Sequence, residues 1–500
     1  VAASGSTLGW TEFAVRLVSA LTALAGIVIV GRLGTSMGGP RAGIYASLLL
    51  AVAPYWALLA RVNSIDMTLS ALILATLACF WRASSGGSGA RLAWHGLFAF
   101  SALAVLTKGL IGIVLPGGAI LLYLAIGGHW RLLRSVPWLT GPLLFSVIAV
   151  PWHLFAESQH HGFLYHYFVS EHFLRYTTGV YERTQPAWYL AVVLFVGLLP
   201  WSGLIPSAVR LPFRAAPGLR RDAALFLSCW AGFVLAFFSL SGSKLIPYVL
   251  PAAPPLALLV GLTLVDAEEA PGRTLRFGRW LLTISLLLVA IVFAVFLWFG
   301  SGRSAEWLGG VSVYDGAVVV TAVIALLATA AAVLAAPRAS LSRVIASTVI
   351  AAVGLIPCCV IAGGVIADRA SARAIVRYIN LQGADAELIA FRCYPRTATF
   401  YLHRTIAVVD HDGEFAYGKA TMDGAELSRR FPDIAELKRR WLSGDGHVFV
   451  ITPRRNVAKL AKLGIRGTVA VDSGRFLLLK QELSKPLMPA IPAAGVNQPQ

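Results

Sequence analysis

Charge is scarce in this chain. Asp, Glu, Lys and Arg make up 13% of its 500 residues, against about 25% in a soluble domain, so a single water-soluble body is excluded. Acidic residues are the scarcer kind, 24 against 42 Lys and Arg, which leaves a formal net charge of +18. Such a surplus could serve a nucleic acid, but its placement, given below, argues against that partner. Cysteine is also rare, with five in the chain. Cys79, Cys229, Cys358 and Cys359 fall in apolar runs, where a thiol packs as a small hydrophobe. Cys393 has no partner nearby in sequence, so no disulfide framework is implied. No P-loop, G-x-G-x-x-G or kinase signature occurs. That removes bound ATP as a source of energy, and no cofactor is evident. No internal repeat with matching residues is visible.

What the chain has instead is long apolar runs. Hydrophobic residues reach 57% and the mean hydropathy is +0.72. A helix needs about 20 mostly apolar residues to cross a bilayer, and only helices or closed barrels satisfy their backbone there. Twelve stretches meet the length: 11–31, 42–60, 66–82, 92–107, 109–127, 135–156, 187–207, 222–240, 246–265, 279–299, 316–336 and 344–366. The expected fold class is therefore an α-helical polytopic membrane protein. Fifteen arginines, from Arg32 to Arg343, fall in the short loops of one side, which the positive-inside rule makes cytoplasmic. The opposite loops hold six cations: Arg61, Lys108, Arg175, Arg183, Lys244 and Arg303. Topogenesis asks for none of those six. With an even number of spans, residues 1–10 and the tail share the outer side. A chain that opens outside at Val1, with no leader, implies at least one earlier span.

From Asp368 the composition becomes that of a soluble segment. AELIAF, TIAVVD and HVFVITP read as strands, GAELSRRFPDIAELKRRWLSG and RNVAKLAKLG as helices, and TVAVDSGRFLLL as a last strand or hairpin. Alternation of this kind predicts a small α/β domain. The expected division is a membrane domain at 1–367, an α/β domain at 368–485 and a Pro-rich disordered tail at 486–500.

Several residues could carry chemistry. Asp66 stands at the outer mouth of the third span. It is either a helix cap favoured by the dipole or an acid facing a cavity, poised to bind a hydroxyl or an amine. Lys108, between two spans with almost no loop, reads locally as a snorkelling lysine. In SGSKLIPYVLP, Lys244 and Tyr248 share a face if 244–248 is helical, although Pro247 allows a bent or late-starting helix. Lys, Ser and Tyr donors together suit a phosphate at the membrane surface; the alternative is an interfacial anchor pair. Arg175 lies on the long outer loop 157–186. It is either a phosphate ligand or an i, i+4 partner of Glu171. His153, His160, His161, His166 and His172 fall in the same region with Glu157 and Glu171. A divalent metal is conceivable there, but the spacing matches no tight motif, and interfacial histidine is the commoner case.

SIDMTLSALILATLACFWRA, LAVLTKGLIGIVLP, VPWHLFAE, EHFLRYTTG, PAWYLAVVLFVGLLPW and FFSLSGSKLIPYVLPAAPPLALL follow one another in an order and spacing that resemble the ArnT-like branch of membrane glycosyltransferases. That branch resembles the protein O-mannosyltransferases in fold. In the tail, RTATFYLHRTIAVVDHDGEFAYG resembles the family segment that ends in Gly-Glu-x-Phe-Gly. The resemblance implies an inner-membrane enzyme of thirteen spans, twelve of them here, with a periplasmic C-terminal domain. It implies transfer of an aminosugar, such as 4-amino-4-deoxy-L-arabinose, from undecaprenyl phosphate to lipid A. Carried over by motif, Asp66 is the acidic residue entering its span. Arg175 and Tyr248 grip the carrier phosphate with Lys244 beside them. Lys108 and His172 line the substrate cavity, and Glu414 faces it from the tail.

The family's first periplasmic loop carries an Asp-Glu motif with the main catalytic aspartate, followed by a Lys-Pro-Pro segment. Both would precede Val1, so the 500 residues alone are expected to be inactive. Two other readings stand beside this one. A polyprenyl-phosphate hexose transferase acting on protein or another glycolipid is permitted by the shared fold. A lipid or sugar transporter would place its charges near the midplane on repeated halves, whereas these cations gather at outer helix ends. The expected partners are an undecaprenyl-phosphate-linked sugar donor, lipid A or another acceptor, and membrane lipids, with no nucleic acid.

Overall fold

The structure, a computed structural model, describes residues 2–177, 185–269, 370–383, 386–412, 415–443 and 447–481, with isolated helical positions between 280 and 367. The chain divides into two compact units, Val1–Ala362 and Gly363–Gln500.

The first unit is helical. Its elements are α1 (Ala2–Leu8), α2 (Glu12–Gly38), α3 (Pro40–Val52), α4 (Pro54–Leu59), α5 (Ile65–Ser84), α6 (Ala90–Lys108), α7 (Ile111–Gly127), α8 (Thr140–Gln159), a π-helical stretch Tyr165–Leu174, α9 (Arg175–Thr177), α10 (Tyr189–Gly197), α11 (Ile205–Ala208), α12 (Leu211–Arg214), α13 (Leu219–Leu240) and α14 (Ala253–Glu269). Among the described residues five helices are long and apolar enough to cross a membrane: Glu12–Gly38, Ile65–Ser84, Ala90–Lys108, Leu219–Leu240 and Ile246–Glu268. A bent pair supplies a sixth. This is the helical unit of a multipass membrane protein. The spans expected at 279–299, 316–336 and 344–366 lie outside the described residues, apart from the isolated positions.

Three expected spans are corrected in detail. The 187–207 span is not continuous, because Tyr189–Gly197 and Trp201–Arg214 meet at 111°. Pro200 lies in the break; it has no amide N–H to donate and disfavours a helical residue before it. The 42–60 span divides at Ala53, just ahead of Pro54, into α3 and α4. The 246–265 span opens as a 3₁₀ turn, Ile246–Ala252, and becomes α-helical only at Ala253.

Local chemistry explains several joins. Thr11 caps α2 by accepting from Ala14 N–H at 3.2 Å, as an N-cap hydroxyl should. Pro116 inside α7 cannot donate to the Gly112 carbonyl one turn back. The Ser101 hydroxyl of α6 donates to that carbonyl instead, at 2.9 Å. A lone acceptor in an apolar bundle is costly, so Ser101 both satisfies α7 and ties it to α6. The core of the unit is one large apolar cluster, with a small second one between α6 and α8 at Ala102, Val105 and Ala149. Trp56 and Trp230 are fully buried in the large cluster, and Trp81 stacks on Phe226 with ring centroids 5.5 Å apart.

The two ends of the bundle differ in chemistry. At one end Tyr45 donates to Glu268 at 2.6 Å, Arg41 pairs with the same carboxylate, and Arg220 pairs with Asp266. The other end holds the start of α5, the end of α6, the end of α13 and the turn before α14.

The second unit carries a five-stranded sheet: β1 (Glu387–Phe391), β2 (Ala407–Val409), β3 (Val448–Pro453), β4 (Thr468–Asp472) and β5 (Phe476–Lys480), in the order β2-β1-β3-β5-β4. β2, β1 and β3 are parallel, while β5 runs antiparallel to both β3 and β4. The inner strands β1, β3 and β5 are largely apolar because both their faces are covered, whereas the edge strand β4 has no buried position. Leu388, Ala390, Val408 and Ile451 pack into a cluster with Ile375, Val376 and Ile379 of helix Arg373–Leu381. Ile389, Phe391, Val409 and Val450 pack on the other side against Leu437, Trp441 and Leu460. The amphipathic segment 424–444 forms two helices, Gly424–Arg430 and Ile434–Ser443. Asp423 and Asp433 cap them by accepting from Glu426 N–H and Glu436 N–H, each at 2.7 Å. The helices at Arg373–Leu381, Arg396–Leu402 and Ala416–Thr421 were not expected from the sequence.

Candidate active site at one end of the helical unit

Ser64 begins the site. It is the N-cap of α5, and its hydroxyl oxygen accepts from Asp66 N–H at 3.1 Å. The same hydroxyl donates to Asp66 Oδ2 at 2.8 Å. Asp66 is thus not the cap; it is a carboxylate held in place by one. Its other oxygen, Oδ1, receives the ammonium of Lys108. Lys108 is the last residue of α6 and is not a free snorkelling cation, which corrects the local reading. Its ammonium also lies 4.8 Å from the centroid of the Tyr248 ring, within the range of a cation–π contact. Tyr248 rests on Phe238 with centroids 5.0 Å apart. These groups share a narrow crevice: Asp66, Ser70, Lys108, Phe238, Pro247 and Tyr248 all line it. The sequence-predicted Asp66, Lys108 and Tyr248 come together here from three separate elements.

His172 joins from the π-helical stretch. Its Nε2 lies 3.2 Å from the Lys108 carbonyl and its Nδ1 2.5 Å from the Tyr167 carbonyl. Both partners are backbone carbonyls, which only accept. Gly109 makes room for the ring. Its φ is +70°, and a Cβ there would sit 2.2 Å from His172 Nε2.

Lys244 and Tyr248 do not share a helical face, because Lys244 precedes the 3₁₀ turn. Lys244 is buried and donates to the Ser241 carbonyl at 2.7 Å. An ammonium has three donors, and Ser241 engages one of them. Beside it the buried Ser243 hydroxyl has no hydrogen-bond partner among the described residues. The turn that carries Arg175 is docked onto this loop. Gly242 N–H donates to the Tyr176 carbonyl at 2.8 Å, and the Tyr176 hydroxyl donates to the Phe237 carbonyl at 2.9 Å. The backbone of Arg175 therefore lies next to the 241–244 loop; its side chain is outside the described residues, as is Glu414. From α4, the Tyr55 hydroxyl donates to the Ile246 carbonyl and pins the start of the turn.

In the histidine-rich segment, Glu157 and His153 hold local structure. Glu157 accepts from Gly162 N–H at 2.9 Å and Leu164 N–H at 2.8 Å, closing the turn after α8. His153 is buried, with Nδ1 2.7 Å from the Ala149 carbonyl and its ring stacked on Phe168. Among the described residues no three His, Cys, Asp or Glu side chains converge as metal ligands. Sequence reasoning missed Ser64, Gly109, Tyr55, Tyr176 and Ser243. Two of them carried a signal: a serine just ahead of an apolar run and a glycine just past one are helix start and stop marks.

Residues 2–155 match the family described as dolichyl-phosphate-mannose-protein mannosyltransferase. Residues 375–481 match the aminoarabinose transferase C-terminal domain. An undecaprenyl phosphate-alpha-4-amino-4-deoxy-L-arabinose arabinosyl transferase of Pseudomonas aeruginosa is 30% identical over 303 residues, 59% of this chain and 54% of the relative. The transferase of the same description from Aeromonas hydrophila is 29% identical over 304 residues, 58% of this chain and 54% of the relative. The chain spans about half the length of the curated relatives it matches. The crystal structure of ArnT from Cupriavidus metallidurans bound to undecaprenyl phosphate superposes with a TM-score of 0.78 at 25% identity, covering 96% of this chain and 86% of that one. Its apo form gives a TM-score of 0.76. By these likenesses the chain is similar to the ArnT-like membrane glycosyltransferases and shares the fold of the ArnT crystal structure.

Proposed function

We propose that this chain is the body of a glycosyltransferase that moves 4-amino-4-deoxy-L-arabinose, or a related aminosugar, from undecaprenyl phosphate to lipid A. The reaction takes place on the periplasmic side of the bacterial inner membrane, where the C-terminal unit also lies. The relatives named arabinosyl transferases, and the ArnT crystal structure with undecaprenyl phosphate bound, support the donor.

The observation that carries this reading is the Lys244 loop. Among the described residues a buried ammonium with a single acceptor stands beside a buried serine hydroxyl with none, four residues from Tyr248 and next to the backbone of Arg175. Donors of this kind suit an anion. In the reaction the bond between the sugar C1 and the carrier phosphate oxygen breaks, and its electron pair leaves with the phosphate. A bond from C1 to the acceptor oxygen replaces it. Arg175, Lys244 and Tyr248 hold the departing phosphate, and a water-poor site makes each contact worth more than in bulk water. Asp66, kept in place by Ser64 and Lys108, accepts a hydrogen bond from the sugar amine or a hydroxyl and fixes its pose. If the acceptor is a lipid A phosphate it arrives ionised, and positioning matters more than proton removal. Lys108 lines the crevice, and His172 lies beside it.

The match of residues 2–155 to a mannosyltransferase family favours a second reading, a polyprenyl-phosphate hexose donor with a protein or glycolipid acceptor. The match at the C-terminus to an aminoarabinose transferase domain weighs against it. The test is to express the gene that encodes this chain in a strain without its own lipid A aminosugar transferase and to weigh the lipid A by mass spectrometry. A pentosamine increment supports the main reading, and a hexose increment supports the second. Transfer and carrier binding that survive Arg175→Ala and Lys244→Ala unchanged would remove the phosphate assignment.

A further inference from the structure

The second unit holds a cavity of about 230 Å³ that no part of the transfer reaction uses. Because β1 and β2 are parallel neighbours, their starts lie side by side. Glu387 and Leu388 of β1, and Thr405 to Ala407 around the start of β2, form one wall. Four guanidinium groups surround the space, from Arg404 ahead of β2, from Arg429 and Arg430 at the end of helix Gly424–Arg430, and from Arg440 of helix Ile434–Ser443.

The local carboxylates account for only some of those donors. Glu436 takes Arg440 Nε at 2.6 Å and Glu387 takes Arg440 Nη1 at 2.7 Å. Glu426 takes Arg430 Nη2 at 2.6 Å, and Arg404 donates to the Ala386 carbonyl. Each guanidinium has five N–H donors. Arg429 makes no hydrogen bond or ion pair among the described residues. Arg430 Nε is shut off from solvent and has no acceptor among the described residues, so a donor that ought to be satisfied is left over.

We propose that this cavity binds a phosphate group. Guanidinium forks arriving from three chain segments suit a tetrahedral oxyanion with three or four acceptor oxygens better than a flat carboxylate with two. The small volume suits a phosphate monoester, whether free in solution or at the head of a lipid. The site is separate from the Lys244 loop and does not depend on the proposed transferase function.

The test is equilibrium dialysis of the full chain in detergent against labelled inorganic phosphate at low ionic strength. Arg429→Ala with Arg430→Ala should weaken binding at least about tenfold, the loss expected for charge-assisted hydrogen bonds, with the thermal melt unchanged. Arg430→Lys keeps the charge but not the Nε–H, and should weaken binding without disturbing the fold. Mixed micelles of phosphatidic acid that displace the label at lower concentration than inorganic phosphate identify a lipid headgroup as the ligand. Equal displacement identifies the free anion. Binding that persists in the double variant and disappears in Lys244→Ala overturns the proposal while leaving the transferase reading intact. Binding unchanged in every variant overturns both phosphate sites.

Discussion

The ammonium of Lys108 is shared between the Asp66 carboxylate, which it meets directly, and the face of the Tyr248 ring, whose centroid is 4.8 Å away. One cation thus ties the start of α5 to the end of α6 and to the turn before α14. Lys108 is 22% exposed and Asp66 14%, so the pair is neither a surface bridge nor a fully desolvated one. Removing one partner strands the other, and Lys108→Met or Asp66→Asn should each cost about 1–3 kcal/mol, between the surface and the buried cases. The double variant should cost less than the sum, with a coupling of about 1 kcal/mol or more. Unfolding midpoints in detergent for the four proteins measure it, and additive losses would show that the pair contributes nothing.

Tyr248 combines a ring and a hydroxyl, and the two can be separated. Tyr248→Phe keeps the packing on Phe238 and the surface offered to Lys108. Stability should change by no more than about 0.5 kcal/mol. Carrier-phosphate affinity should fall about threefold to tenfold, the value of one hydrogen bond. Tyr248→Ala should harm both. Unaltered affinity for undecaprenyl phosphate in the Phe variant would remove the hydroxyl from the phosphate site.

The outer-end cations were legible in the sequence because the positive-inside rule leaves them unexplained. What it could not supply was their partners. Asp66 and Lys108 are 42 residues apart, and periodicity within one helix cannot show that two helix ends meet. Lys244 and Tyr248 share a face only on a regular helix, and the spacing could not choose between that and the late-starting helix that Pro247 allows; the 3₁₀ turn is the second case. The strands of the second unit were visible as apolar runs bounded by turn residues. Its order was not, since β1 lies between β2 and β3 through contacts made far along the chain. The break near Pro200 was missed because α10 and the helices after it are equally apolar, and hydropathy alone does not see a bend.

Gly109 ends α6 in the left-handed region with φ +70°, and His172 fills the place where a side chain would start. Gly109→Ala incurs both backbone strain and a clash, and about 1–3 kcal/mol of destabilisation is expected from the strained conformation alone. His172→Ala in the same chain should recover the steric part but not the conformational part. A Gly109→Ala protein with an undiminished melting temperature would mean that the His172 ring does not rest on this turn.

Cys393 offers a pH test outside the membrane unit. Burial pushes its thiol up to about 12 from an ordinary 9.0, with Arg475 opposing weakly, and its sulfur donates to the Ile451 carbonyl at 3.6 Å. The thiolate is the reactive form. A maleimide at pH near 8 should therefore leave Cys393 unlabelled in the folded chain and label it after denaturation, which peptide mass spectrometry reads directly. The linkage has a definite sign. Above the ordinary value the unfolded chain releases this proton while the folded chain keeps it, so fewer protons are bound in the unfolded state and stability falls as pH rises. The contribution is intact below about pH 9 and is lost progressively toward about pH 12. Other groups titrate in that window, so the comparison is with Cys393→Ala, whose stability should decline less steeply with pH. Parallel declines in the two proteins, or ready labelling of the folded chain, would show that the thiol is not buried as described.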